Sequence, residues 1–185
     1  MTGRPSARSL VLVTLAAAIA GCGRADTPGR VPDDGAPCSA MMPGAAKSGE
    51  KPIRLESVAV TERSWVLMAP DVSVDPPKDF TTYIVRRGSV PAGSALRDAA
   101  LLDAVAARAG RGIALQDGTK PGVAKVATGA GDAVELRWAT GAFHNATRFL
   151  LVPGGYCEVT IMGARTEAAV ASYLASAQAR PDGKN

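Results

Sequence analysis

The chain has 185 residues, three cysteines, one histidine and a formal net charge of +4. Residues 1–21 include Arg4 and Arg8 and no acid, so the charge falls to +2 without them. No basic block marks a nucleic-acid-binding surface, and three cysteines with one histidine, in no ligand spacing, argue against a zinc site.

The chain opens on a short basic region, then runs apolar from Leu10 to Ala20 with Thr14 as its one interruption. That run is too short to cross a hydrocarbon core, which takes about 20 residues in a helix. A basic start, a short apolar middle and small residues at the end describe a secretory signal peptide over residues 1–21. Ile19-Ala20-Gly21-Cys22 resembles the bacterial lipobox, an aliphatic residue, two small residues and a cysteine. The resemblance implies cleavage before Cys22, diacylglycerol on its thiol and a further acyl chain, such as palmitate, on the new amine. Two or three chains would hold the protein firmly at a membrane, at about 0.8 kcal/mol per buried methylene. Gly23 follows the cysteine where some lipoproteins carry an aspartate for inner-membrane retention, which favours the periplasmic face of an outer membrane in a cell that has one.

With Cys22 lipidated, Cys38 and Cys157 remain as an even pair in an oxidising compartment. Two readings stand. A bridge would pin the end of the linker to the last strand; alternatively Cys157 is a buried free thiol, in phase with Val159 and Ile161 on an apolar face.

Residues 22–52 read as the lipidated N-terminus and a flexible tether, punctuated by prolines and glycines from Pro28 to Pro52. Met41-Met42 is its one apolar spot. A single domain is expected over residues 53–180, with 181–185 as a tail. Within it, Ile53–Val60 and Trp65–Ala69 read as strands around a polar turn at Thr61–Ser64, Asp71–Lys78 as a loop, and Phe80–Arg86 as a strand. Ser94 caps a helix over Ser94–Ala109, which Arg108 and Gly110 close. Ile113–Gln116 and Val123–Thr128 read as short strands. Val134, Leu136 and Trp138 alternate with Glu135 and Arg137 as a strand with one buried face. Phe143–Val152 and Tyr156–Met162 form a hairpin about Pro153-Gly154-Gly155, and Thr166 caps a helix to about Ala179. The predicted fold class is α+β, an antiparallel sheet with two main helices packed on it.

Catalytic equipment is sparse. There is no G-x-S-x-G elbow. Gly44-Ala45-Ala46-Lys47-Ser48 lacks the glycine that precedes the lysine of a phosphate loop, and Gly129-Ala130-Gly131 reads as a turn between strands. His144, the one histidine, has no nucleophile beside it in sequence. Asn145-Ala146-Thr147 matches a glycosylation pattern that arises by chance. Asp98 with Asp103, and Asp71 with Asp75, fit exposed helix and loop positions better than acid–base work, and Trp65 and Trp138 are expected in the core. The chain is read as a non-enzyme, with no cofactor and no catalytic or metal-binding residue.

The order of elements from Gly122 to Ser176 includes Val134-Glu135-Leu136-Arg137-Trp138, Phe149-Leu150-Leu151-Val152, Gly155-Tyr156-Cys157-Glu158-Val159-Thr160 and Tyr173-Leu174-Ala175-Ser176. It is similar to the C-terminal half of PsbP-like domains, which implies an α-β-α sandwich that binds or steadies a protein partner. No family site residue carries over. Leu101–Leu115 also resembles the short helix-then-strand domains of outer-membrane secretins, which would imply a secretion-apparatus accessory. The expected function is a lipid-anchored binding or assembly module at the cell envelope with a protein partner there; a small-ligand carrier, with a pocket between sheet and helix, is the alternative.

Overall fold

The computed structural model of the chain describes residues 28–32, 36–70 and 79–180. The expected signal peptide, Cys22, the Asp71/Asp75 pair and the expected tail lie outside them.

Among the described residues the protein is mostly β. Ten strands form two antiparallel sheets, and there are two helices. The expected α+β class, with two main helices on a sheet, is thereby overturned, together with the α-β-α sandwich that the PsbP likeness implied. Three departures account for the difference.

The first lies in the expected tether. Gly29–Val31 (β1), Cys38–Met42 (β2) and Lys47–Leu55 (β3) are strands, so ordered structure begins well before Ile53. Met42 is buried, as are Cys38 and Ala40. Strands of this kind carry no period of their own that a sequence window detects, because β3 is an exposed edge and β2 is short. The second departure is the polar turn. Glu56 and Ser57 make it instead, with Glu56 at φ 51°, and Thr61–Ser64 sit inside the long strand Val58–Pro70 (β4). Phe80–Ser89 (β5) pairs with β4 along its length.

Third, the helices shift. Asp98–Asp117 (α1) starts after Ser94, whose Oγ accepts from the Leu96 N–H, and runs through Gly110 and the segment Ile113–Gln116. It ends at Gly118, which takes the left-handed conformation (φ 64°) that suits glycine at this position. A short apolar run cannot be told from a strand by its period alone. The strands Gly122–Thr128 (β6), Gly131–Thr140 (β7), Phe143–Val152 (β8) and Gly155–Ala164 (β9) follow close to expectation. Thr166 caps Glu167–Ala175 (α2), its Oγ1 accepting from the Ala169 N–H at 3.1 Å. This helix stops short of Ala179 because Gln178–Ala179 (β10) pairs with β2, and the Ser176 hydroxyl accepts from the Met41 N–H.

The large sheet has the order β3-β4-β5-β9-β8-β7-β6, which places β9 at its centre; β1-β2-β10 is the small one. Elements pack on both faces of the large sheet. On one, Leu101, Leu102 and Val105 of α1 pack on Leu136, Phe149 and Tyr156. On the other, Cys38, Ala40 and Met42 of β2, with Val170 and Leu174 of α2, pack on Val159 and Ile161. Burial of this apolar surface supplies the main stabilisation, at about 25 cal/mol per Å².

Cys38 and Cys157 are joined by a disulfide, with Cα atoms 5.3 Å apart. The bridge fastens β2 to the central strand β9, not to a terminal one. The free-thiol reading of Cys157 falls, although the residue is fully buried and in phase with Val159 and Ile161, as expected.

The other side of β7 is a second surprise. Glu135, expected to face solvent opposite Val134 and Leu136, is buried on the face that α2 covers. Arg148 donates to its Oε2 through Nε (2.9 Å) and Nη2 (2.7 Å), and Arg137 donates to its Oε1 (2.6 Å). Arg148 also donates to the Leu174 carbonyl at the end of α2 (3.0 Å), so the pair docks that helix. Burial disfavours the charged carboxyl, but the hydrogen bonds and charges of Arg137 and Arg148 outweigh it and hold Glu135 below the usual 4.5. A depressed folded-state value contributes stability at neutral pH that is lost as pH falls through it, below about 4.5. Arg148→Gln is expected to destabilise by about 3 kcal/mol at neutral pH, and its difference from wild type is expected to narrow as pH falls below about 4.5, because the contribution it removes is lost there in wild type as well. Urea midpoints from pH 7 to pH 3 check this; curves parallel to wild type would contradict it.

Candidate functional site

The face of the large sheet under α1 is uncovered over part of its length, and there a cleft of about 370 Å³ opens between the second half of the helix and the strands. Its floor is built by strand register. One row runs Lys51 (β3), Glu62 (β4), Gly88 (β5), Tyr156 (β9). The next carries Arg86 beside Glu158, and the one after it Ile84 beside Thr160. Side chains two apart on a strand share a face, so the polar members of these rows project together.

Gly88 is the decisive gap in the first row. A Cβ there would overlap the Tyr156 ring, so its absence lets that ring cross β5. The Tyr156 hydroxyl thereby donates to Glu62 Oε1 at 2.5 Å. Arg108 of α1 reaches the same oxygen at 3.4 Å, and Lys51 Nζ stands 3.8 Å from Oε2. Beside this group, Arg86 donates to Glu158 Oε1 at 2.5 Å. The Thr160 hydroxyl also donates to Glu158 (3.0 Å), and Thr147 lies 2.5 Å from Thr160 to complete the chain.

Burial pushes the Tyr156 phenol well above its ordinary value, and the hydrogen bond to Glu62 and its charge add to this, so the hydroxyl stays a donor. Burial also raises Glu158, although Arg86 opposes the shift. Glu62 and Glu158 are both buried carboxyl groups, a kind of burial that costs free energy unless each is well paired. Trp138, Ile84, Met162 and Ile113 are among the apolar residues of the lining.

The residues singled out in the sequence lie elsewhere. His144 stands on the surface with Nδ1 2.9 Å from Glu167 Oε1, and the other Glu167 oxygen accepts from Arg137. It is not among the residues that line the cleft. Asn145 is buried, its Oδ1 accepting from the Gly163 N–H at 2.7 Å beside an irregularity in β8, so it is no glycosylation acceptor. Asp98 begins α1 at φ 50°, and Asp103 pairs loosely with Lys125 at 3.9 Å. Gly129-Ala130 is the turn between β6 and β7, and Gly44–Ala46 links β2 to β3. Trp138 is buried, and Trp65 packs partly buried against the opposite face. Among the described residues no three metal-ligating side chains stand together, and no helix is long and apolar enough to cross a membrane.

Lys51, Glu62, Arg86, Arg108, Tyr156 and Glu158 were all missed as site residues. The legible signal was Tyr156, Glu158 and Thr160 alternating with the apolar Cys157, Val159 and Ile161, a polar face on what proves to be the central strand. Glu62 gave none, being placed in a turn.

Comparison with protein-family models, with curated proteins and with solved structures finds no match for this chain.

Proposed function

We propose that this protein is an exported, lipid-anchored binding protein of the cell envelope, without a catalytic role, and that the cleft between α1 and the large sheet is where it holds a small ligand. The observation that carries the ligand reading is the charged network on the cleft floor. Buried Glu62 and Glu158 are kept with three cations at the mouth of a concave site, where apolar packing would serve stability equally well. Export is supported by Ile19-Ala20-Gly21-Cys22 and by a bridged Cys38–Cys157 pair, which suits an oxidising compartment. The periplasmic face of an outer membrane is favoured where there is one.

A second reading, an assembly module with a protein partner, has its own observation. Met68 and Phe80 are exposed at the far end of the same sheet face. Such a pair of large apolar side chains suits a protein contact.

Mass spectrometry of the protein purified from membranes tests both parts. The mature chain is expected to start at Cys22 with added diacylglycerol and acyl mass, and Cys22→Ala is expected to release it to the soluble fraction. A start at Cys22 without lipid mass would sink the anchor. A small molecule retained under native conditions supports the ligand reading; a discrete protein crosslinked through Met68 or Phe80 in intact cells, with no small molecule, favours the second.

A further inference from the structure

Resting on the reading of the cleft as a ligand site, we propose that its ligand is an organic carboxylate, with the anionic head at Lys51, Arg86 and Arg108 and an apolar body against Ile84, Trp138 and Met162.

The order of burial decides the sign of the charge. The two carboxylates lie at the bottom, with Glu62 and Glu158 side chains 2% and 8% exposed. The cations stand above them, with Lys51 58%, Arg108 41% and Arg86 29% exposed. An entering ligand therefore meets donors first. The acceptors are already engaged: Glu62 by Tyr156, Arg108 and Lys51, Glu158 by Arg86 and Thr160. A cationic ligand would have to displace these bonds. An anion uses donors that remain, since a guanidinium carries five N–H groups and an ammonium three.

Three cations outnumber the two carboxyl groups, so the cleft carries an excess of positive charge that an anion offsets. A doubly charged phosphate would bring a second negative charge into a half-enclosed cleft beside Glu62 and Glu158. Beyond the charged floor the lining is mixed, with Ile84, Ile113, Trp138 and Met162 apolar and Gln116 and Thr147 polar, and the volume, about 370 Å³, suits a small organic molecule and excludes a folded partner.

The test is a matched set of water-soluble probes with one apolar body and three charges: 3-phenylpropanoate, 3-phenylpropanol and 3-phenylpropylammonium. Each is titrated into the full mature lipoprotein in nanodiscs of zwitterionic lipid, with empty discs as the blank. Tryptophan fluorescence is the readout, because Trp138 lines the cleft and Trp65 lies on the other face. The carboxylate is expected to bind at least about tenfold more tightly than the alcohol, and the ammonium more weakly than either. Lys51→Gln, at an exposed position and with its fold checked by thermal unfolding, is expected to weaken the carboxylate about three- to tenfold and leave the alcohol unchanged. Arg108→Gln is expected to act in the same direction. Equal binding of all three probes, or preference for the ammonium, would overturn the carboxylate assignment while leaving a ligand cleft in place. If none of them binds, the ligand reading falls with it.

Discussion

Replacing Cys38 and Cys157 together with alanine is expected to lower the folding free energy by about 4 kcal/mol, or about 15 °C in Tm. The bridge closes a separation of 119 residues, so it removes a large share of the unfolded chain's freedom. It also holds β2 on the central strand, and with β2 come its partners β1 and β10. Alanine is the proper replacement because both positions are fully buried and a serine hydroxyl there would need a partner. Thermal unfolding with and without reductant makes the same comparison on the unaltered chain. A Tm that reductant and the double variant both leave unchanged would mean that packing alone secures β2.

Gly88→Ala is expected to cost about 3 kcal/mol, at the upper end of the range for overpacking. The new methyl would overlap the Tyr156 ring from below, on a strand paired on both sides with no room to shift. Relief by moving Tyr156 would break its bond to Glu62 and leave a buried carboxylate short of a donor. Tyr156→Phe separates the two parts of that cost, since it keeps the ring and removes the hydroxyl; a smaller loss, about 1–3 kcal/mol, is expected. Urea unfolding of both variants measures it. A Gly88→Ala protein within about 0.5 kcal/mol of wild type would show that Tyr156 does not depend on the gap. The glycine is thus a site residue without a side chain, needed for close approach and not for a turn.

How much of this was legible depends on whether the signal was local. β8 was placed to the residue, because Phe143–Val152 is bounded by glycine turns at Gly141 and Gly154 and has the composition of a strand. The N-terminus of α2 was equally plain, since Thr166 meets its own bonding partner three residues on. β3 was invisible for the opposite reason. Its hydrogen bonds run to β4, and its residues are mostly exposed, so composition suggested a tether where pairing makes a strand. Thr61–Ser64 looked like a turn because the segment is polar, yet Glu62 is among the most buried side chains in the protein.

The candidate site shows the same division. Tyr156, Glu158 and Thr160 alternate as a polar face that the strand alone makes legible, although none of them was expected in a site. Their partners came from four other elements, with Lys51, Glu62, Arg86 and Arg108 spread over 58 positions of the chain. No spacing rule connects residues that meet through sheet register and helix packing.

The signal-peptide pattern, the lipobox likeness, the glycine turns and the Thr166 cap are local chemistry, written in neighbouring residues and readable without a fold. The bridging of Cys38 to Cys157, the inward turn of Glu135, the passage of Tyr156 over Gly88 and the assembly of the cleft were decided by the tertiary structure. Each depends on which strands lie side by side, and pairing is set by the cooperative burial of both sheet faces, an energy that no short segment carries.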